Sequence, residues 1–308
     1  MPAYALRRLL ATAPILFGIT LLLFILLQVL PGDPARMATG YRTPAPQALD
    51  NIEGRMDIRA PLYRQYFNYI SALSRGDLGR SYRTQRPVIS IIGETLPNSL
   101  VLAMLALLLE MSISIPAGAI AALKRGSLFD RGSIVAATLL GATPIFALGL
   151  IFQLVLGVRL RWLPVTGAGS PSSYVMPATV MALVAAAYLT RVVRSSFLDV
   201  LAKDYITAAR ANGLSERRIL LVHALKNALA PIVTVAGVHF GFLIGSAVAT
   251  EVVFNWPGIG RQLFAAVMER DRPVVVGATL VIAALFILVN LLVDILQAWV
   301  NPRVRAGL

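Results

Sequence analysis

The chain has 308 residues, 57% of them hydrophobic and 14% charged, with a formal net charge of +13. Soluble domains run roughly 45–50% apolar and about 25% charged, so a chain solvated on every side is excluded, and so is disorder. There is no cysteine, and His223 and His239 are the only histidines, which removes disulfide frameworks, thiolate metal sites and His-rich metal centres.

A helix crosses the hydrocarbon core with about 20 apolar residues, in a range of roughly 17–25. Six windows qualify: Leu9–Leu30, Pro97–Leu123, Ser133–Val158, Ser173–Thr190, Leu229–Thr250 and Val274–Ala298. The only Asp, Glu, Lys or Arg inside them are Glu110 and Asp294. No window alternates polar and apolar residues as a barrel strand would. The expected fold class is an all-α integral membrane protein with six transmembrane helices. Arg7 and Arg8 precede the first window as they would a signal peptide. Its apolar run is longer than the roughly 7–15 residues of a signal core, however, and stops at Pro31-Gly32-Asp33-Pro34, which predicts a retained helix over residues 1–30.

Lys and Arg sort across bilayers, so the charge is first a statement about topology. With the N-terminus in the cytoplasm, 14 Lys and Arg fall inside and five in the two short external loops. The other nine lie between Pro31 and Leu96, a segment long enough to be translocated largely regardless of charge. Both termini are predicted inside. Nucleic acid is not needed to account for the basic balance.

The external segment, 31–96, opens polar and turn-rich from Pro44 to Asp57. From Ala60 onward Leu62, Tyr66, Tyr69, Ile70 and Leu73 recur at helical spacing, with Tyr63 and Phe67 alongside. Two readings stand: an amphipathic helix in the headgroup region, or a docking surface for an external partner. Ser74-Arg75-Gly76-Asp77-Leu78-Gly79 ends this helix.

The cytoplasmic loop, 191–228, is the most informative stretch. One helix is predicted through Leu198, Leu201, Tyr205, Ala208 and Ala209, stopped by Asn212-Gly213. Ser215 then reads as an N-cap with Glu216 in the first turn, and Leu214 and Ile219 as a hydrophobic staple. A capped, basic helical hairpin with small residues at its tip suits insertion into a groove on a partner. Anionic headgroups would explain its seven Lys and Arg, but not the alanines, the glycine or the caps.

Here Thr207-Ala208-Ala209-x3-Gly213 resembles the E-A-A-x3-G core of the permeases of bacterial ATP-binding cassette importers. The longer run Asp204–Ser215 is similar to the B-type permease of the dipeptide, oligopeptide and nickel importer family. Leu30–Pro34, Gly76–Tyr82, Thr95–Ser99, Phe254–Gly260 and Asn301-Pro302-Arg303 agree with that family in order along nearly the whole chain. Two positions depart from the general motif: Thr207 replaces its glutamate, and a proline expected near Lys226 is found at Pro231. The resemblance implies type I importer permease architecture, with a five-helix permease core over 97–308. It implies that Tyr205, Thr207, Ala208, Ala209, Arg210, Gly213, Leu214 and Ser215 form a coupling helix seated in a cytoplasmic ATPase subunit. The implied partners are a second related permease, two ATPase subunits and an external solute-binding protein, in a bacterial inner membrane.

The three lysines, Lys124, Lys203 and Lys226, do not follow glycine, so the chain has no phosphate-binding G-x-x-x-x-G-K loop. No catalytic residue, metal site or cofactor is expected in the chain itself. ATP and magnesium would belong to partner subunits. Glu110, mid-span, should face the bundle and find a partner; it lines a solute path or makes a structural hydrogen bond. Gly237, Gly241 and Gly245 form a small-residue row, either packing within the subunit or bordering the path. His239 reads as a packed helix contact, and Asp294 as a hydrogen bond or a pairing with Arg303 or Arg305. Trp256, Pro257, Gly258 and Gly260 are candidates for the external mouth, followed by a short helix over Arg261–Glu269. A stand-alone secondary transporter or channel is the alternative; it would carry inverted repeats and more intramembrane ionisable groups.

Overall fold

A computed structural model describes residues 2–29 and 60–300. The Leu30–Pro34 turn, the Pro44–Asp57 stretch, Asn301-Pro302-Arg303 and Arg305 lie outside the described residues. The helices in chain order are α1 (Pro2–Val29), α2 (Leu62–Ser74), α3 (Val88–Leu123), α4 (Leu128–Ala142) and α5 (Ile145–Phe152). There follow α6 (Val175–Leu201), α7 (Asp204–Ala211), α8 (Glu216–Arg218), α9 (Leu225–Val253), α10 (Ile259–Met268) and α11 (Arg272–Val300). Among the described residues there is no strand, only an isolated bridge between Arg80 and Pro87.

Among the described residues four helices are long and apolar enough to cross a membrane, or five if α4 and α5 count as one broken span. The uninterrupted third span expected over Ser133–Val158 is not what forms. The chain bends by 101° between α4 and the helix that continues α5 to Arg159. The cause is Pro144: a residue before proline is disfavoured in the α region, and Thr143 sits at φ −84°, ψ 124°. Gln153–Arg159 then winds as a π-helix. α3 starts at Val88, with Pro97 inside it, rather than at Pro97. The fourth span, expected to stop at Thr190, runs on to Leu201. Arg194 can sit on it because Asp130, at the start of α4, accepts its Nε–H at 2.5 Å and its Nη2–H at 2.9 Å.

α3, α6 and α9 make the heart of the bundle. Leu102, Ala103, Ala106, Ala178, Met181, Ala185, Leu243, Ile244, Ala247 and Trp256 form one buried cluster. Small residues let these backbones approach closely, which in lipid replaces the hydrophobic drive of water. A β-carbon added at Gly118 on α3 would stand 2.7 Å from the Thr190 carbonyl oxygen and from Val193 on α6. A second cluster joins Ala119, Ala122, Leu189, Val193, Phe197, Ala224, Ala228 and Ile232 beneath the loop that carries α7.

Helix α2 settles on the chain itself. Tyr69 and Leu73 pack with Ile19 and Leu23 of α1 and with Val276 and Leu280 of α11. Tyr66 meets Phe24 edge-on at 5.3 Å, and its hydroxyl lies 3.0 Å from the Thr20 hydroxyl. Tyr66, Tyr69 and Leu73, part of the face read as a headgroup or docking surface, are therefore engaged by α1 and α11. Leu62, Tyr63 and Phe67 remain exposed.

Candidate coupling and translocation site

The loop after α6 is a short helix with a capped turn. Ala202 and Lys203 interrupt what was expected to be one helix from Leu198 to Ala209, because Lys203 is extended at ψ 147°. Asp204 then opens α7, where its charge suits the helix dipole. Ile206 is fully buried and anchors the helix, while Tyr205, Thr207, Ala208 and Arg210 are exposed and Ala209 is half-buried. The turn is a Schellman motif. The Leu214 N–H donates to the Ala209 carbonyl at 3.2 Å and the Gly213 N–H to the Arg210 carbonyl at 2.9 Å. Gly213 takes φ +77°, a conformation that any side chain would strain.

Ser215 occupies the N-cap position of α8, but its side chain accepts no helix N–H, so that part of the expected capping is not made. Glu216 instead accepts the Arg210 Nε–H at 2.7 Å and Nη2–H at 3.2 Å, closing the hairpin. These hydrogen bonds from Arg210 hold the Glu216 carboxyl below its ordinary range. Ile219 is fully buried. No separate second helix follows. α8 passes through a π-helical stretch, Ile219–Ala224, straight into α9.

Inside the bundle Glu110 is completely buried, and it is joined to His239 Nδ1 at 2.6 Å. One carboxylate oxygen of Glu110 thus has the partner that mid-membrane burial favours, the lone histidine of α9, while Oε2 is buried without a hydrogen bond. The Tyr188 ring stands 5.3 Å from the His239 ring, and Tyr188 is half exposed. The glycine row splits in two. A β-carbon at Gly237 would collide with Val293, and one at Gly241 would reach Phe286 at 3.0 Å, so both pack against α11. Gly245 meets nothing and borders a cleft of about 510 Å³ with Thr12, Ile15, Asn290 and Asp294. Asp294 shares a face with Asn290, as its spacing predicts; Arg303 and Arg305 lie outside the described residues.

At the other end of α9, Trp256, Gly258 and Gly260 are buried around a residue that sequence reasoning passed over. Glu251 is fully buried and accepts the Ser99 hydroxyl at 2.5 Å, the Arg261 N–H at 3.0 Å and the Gly260 N–H. Ser99 Oγ in turn accepts the Ile259 N–H at 2.8 Å. The Asn98 amide donates to the Pro257 carbonyl at 2.8 Å, and Trp256 Nε1 donates to the Asn98 carbonyl at 3.3 Å. Thr95–Ser99 and Phe254–Gly260, two stretches of the family resemblance, therefore bind one another. The glycines are spatial requirements: a β-carbon at Gly258 would strike the Glu251 carboxylate, and one at Gly260 would lie 2.6 Å from Val248 Cα.

A third stretch, Gly76–Tyr82, is fastened to Asp271, which accepts the Ser81 hydroxyl at 2.5 Å and the Tyr82 N–H at 3.0 Å. Arg83 pairs with Glu269 beside it. Neither Asp271 nor the Asp130–Arg194 pair carries a local sequence signal, since their partners lie 189–190 and 64 residues away. Glu251 had one: a carboxylate at the end of an apolar span beside a glycine-rich turn.

Residues 114–306 match the family described as the binding-protein-dependent transport system inner membrane component, and residues 1–103 match its N-terminal counterpart. The chain is 40% identical over 302 residues to the glutathione transport system permease protein GsiC of Escherichia coli (strain K12), covering 98% of each chain. The same protein of Shigella dysenteriae serotype 1 matches at the same identity and coverage. Among solved structures, an inward-facing form of the MetNI methionine ABC transporter aligns at TM-score 0.60 and 17% identity, over 68% of this chain and 96% of that one. The helical order, the close-packed α3–α6–α9 heart and these matches agree: the chain belongs to the binding-protein-dependent transport system inner membrane components, the permeases of ATP-binding cassette importers.

Proposed function

We propose that this chain is one of two related permeases that together enclose the path of a peptide importer in a bacterial inner membrane, with both termini in the cytoplasm and α1 as the sixth span. Two ATPase subunits supply the energy, each holding its own ATP and magnesium, and an external binding protein delivers the solute. GsiC is a glutathione permease by name, and glutathione is a tripeptide, which favours small peptides as the solute class. Glu110 and Gly245 border the path, and Trp256, Pro257, Gly258 and Gly260 shape its external mouth. Tyr205–Ser215 is the coupling segment.

The observation that carries this reading is the exposed α7 tip, with Ala208 open to solvent and a left-handed Gly213 closing the turn. A short, capped helix moves as one body, so closure of two ATPase subunits can be passed to the bundle as a lever. The test is Gly213→Arg in the full assembly. ATPase subunits are expected to co-purify with the parent chain, and ATP-driven glutathione uptake into proteoliposomes to be lost in the variant. A parent chain that purifies alone and drives uptake without ATP would refute the reading.

A further inference from the structure

A lever works only if its tip is tied to the element it must move. The Gly213 turn is a pivot, and the segment that joins it to α9 is π-helical over Ile219–Ala224. π-turns interrupt the regular i→i+4 ladder of backbone hydrogen bonds and are places where helices kink. Motion entering at α7 could therefore be absorbed before it reached the bundle.

One side chain bridges that gap. The Asn227 amide, in the first turn of α9, donates one N–H to the Tyr205 hydroxyl at 3.1 Å and another to the His223 carbonyl at 2.7 Å. The second bond fixes which way the amide faces, because a carbonyl can only accept. Tyr205 belongs to α7, and His223 to the π-helical stretch. Asn227 is flanked by the fully buried Ala224 and Ala228, which pack with Phe197, Val193 and Leu189 in the cytoplasmic cluster. Its own backbone is thus rigidly seated. The buried Ile206, adjacent to Tyr205, seats the other end.

We infer that Asn227 is a positioning residue for energy coupling: its amide clamps Tyr205 of α7 to the root of α9 across the π-turn, so that displacement of α7 reaches the bundle. This rests on the coupling role proposed for Tyr205–Ser215. The bond is exposed, so its loss is expected to weaken transmission by about two- to fivefold.

The experiment uses the assembled complex and needs no knowledge of the solute. The chain has no cysteine, so Arg261→Cys, an exposed position on α10 whose backbone N–H is held by Glu251 of α9, is a unique label site in this subunit. Its maleimide labelling rate is measured with and without ATP, and retained ATPase subunits are counted in the same samples. ATP is expected to change the rate several-fold in the parent, and that change is expected to shrink about two- to fivefold in Asn227→Ala and in Tyr205→Phe. The double variant should be no worse than the poorer single, because both remove one link. Asn227→Asp, whose carboxylate can still accept the Tyr205 hydroxyl proton, should exceed Asn227→Ala.

A normal ATP response in Tyr205→Phe beside a reduced one in Asn227→Ala would overturn the clamp and leave Asn227 as a cap on the π-turn. Normal responses in both would also overturn it. No ATP response in the parent, or ATPase subunits missing from the parent, would instead refute the coupling reading itself.

Discussion

Replacing Glu251 tests the junction between α3 and the end of α9 most directly. Its carboxylate is buried and meets three donors: the Ser99 hydroxyl and the backbone N–H groups of Gly260 and Arg261. In Glu251→Gln the shape is kept, but an NH2 group replaces one oxygen. Whichever way the amide turns, a donor faces a donor, either the Ser99 hydroxyl or a backbone N–H. Ser99 Oγ can accept the new N–H on its second lone pair beside the Ile259 N–H, but its own proton then loses the acceptor that Glu251 supplied. A buried polar group left without its partner costs about 1–3 kcal/mol, so Glu251→Gln is expected to cost about 2 kcal/mol. Glu251→Ala leaves three donors unmet and is expected to cost about 3–5 kcal/mol. At on the order of 2–4 °C per kcal/mol, the two should lower Tm in detergent by about 4–8 °C and about 6–20 °C. Ser99→Ala should fall near Glu251→Gln, and pairing it with Glu251→Ala should give less than the sum, since the two share bonds. A Tm within about 1 °C of the parent for Glu251→Gln would refute the account of a satisfied, dry carboxylate.

Gly118→Ala, whose new methyl meets the Thr190 carbonyl at 2.7 Å, is expected to destabilise by about 1–3 kcal/mol in thermal unfolding, whereas Gly245→Ala, with nothing within 4 Å, should stay within about 0.5 kcal/mol. Asp271→Ala should release the Gly76–Arg86 strap and raise the rate of trypsin cleavage at Arg80 or Arg83 by about 5–30-fold, the effect of losing about 1–2 kcal/mol of local stability. The Arg210–Glu216 pair lowers the folded-state pKa of the carboxyl, so its contribution is present above the ordinary Glu pKa and lost as pH falls through the lowered value. Both side chains are about half exposed, so amide exchange in the Gly213 turn should rise only slightly in Glu216→Gln at neutral pH, and not at all at an acidity that already protonates Glu216.

The membrane class, the helical fold and the locations of four spans, over α3, α6, α9 and α11, were legible in the sequence, because twenty-odd apolar residues in a row have one physical use. The Gly213 turn was legible too: Asn212-Gly213-Leu214 encodes a C-terminal stop through the glycine's access to positive φ, independent of anything distant. Pro144 carried the break in the third window in plain view, but apolar length masked the local stereochemistry. What tertiary structure alone decided is where the polar groups in and beside the bundle find partners. Glu110 meets His239, Glu251 meets Ser99, Asp130 meets Arg194, Asp271 meets Ser81, and Asn227 meets Tyr205. The split of the Gly237–Gly245 row between packing and open space is of the same kind. Hydropathy and caps act within one turn of chain, so the sequence displays them directly. A hydrogen bond between residues 22 to 190 positions apart exists only once the helices have packed, and no local pattern records it.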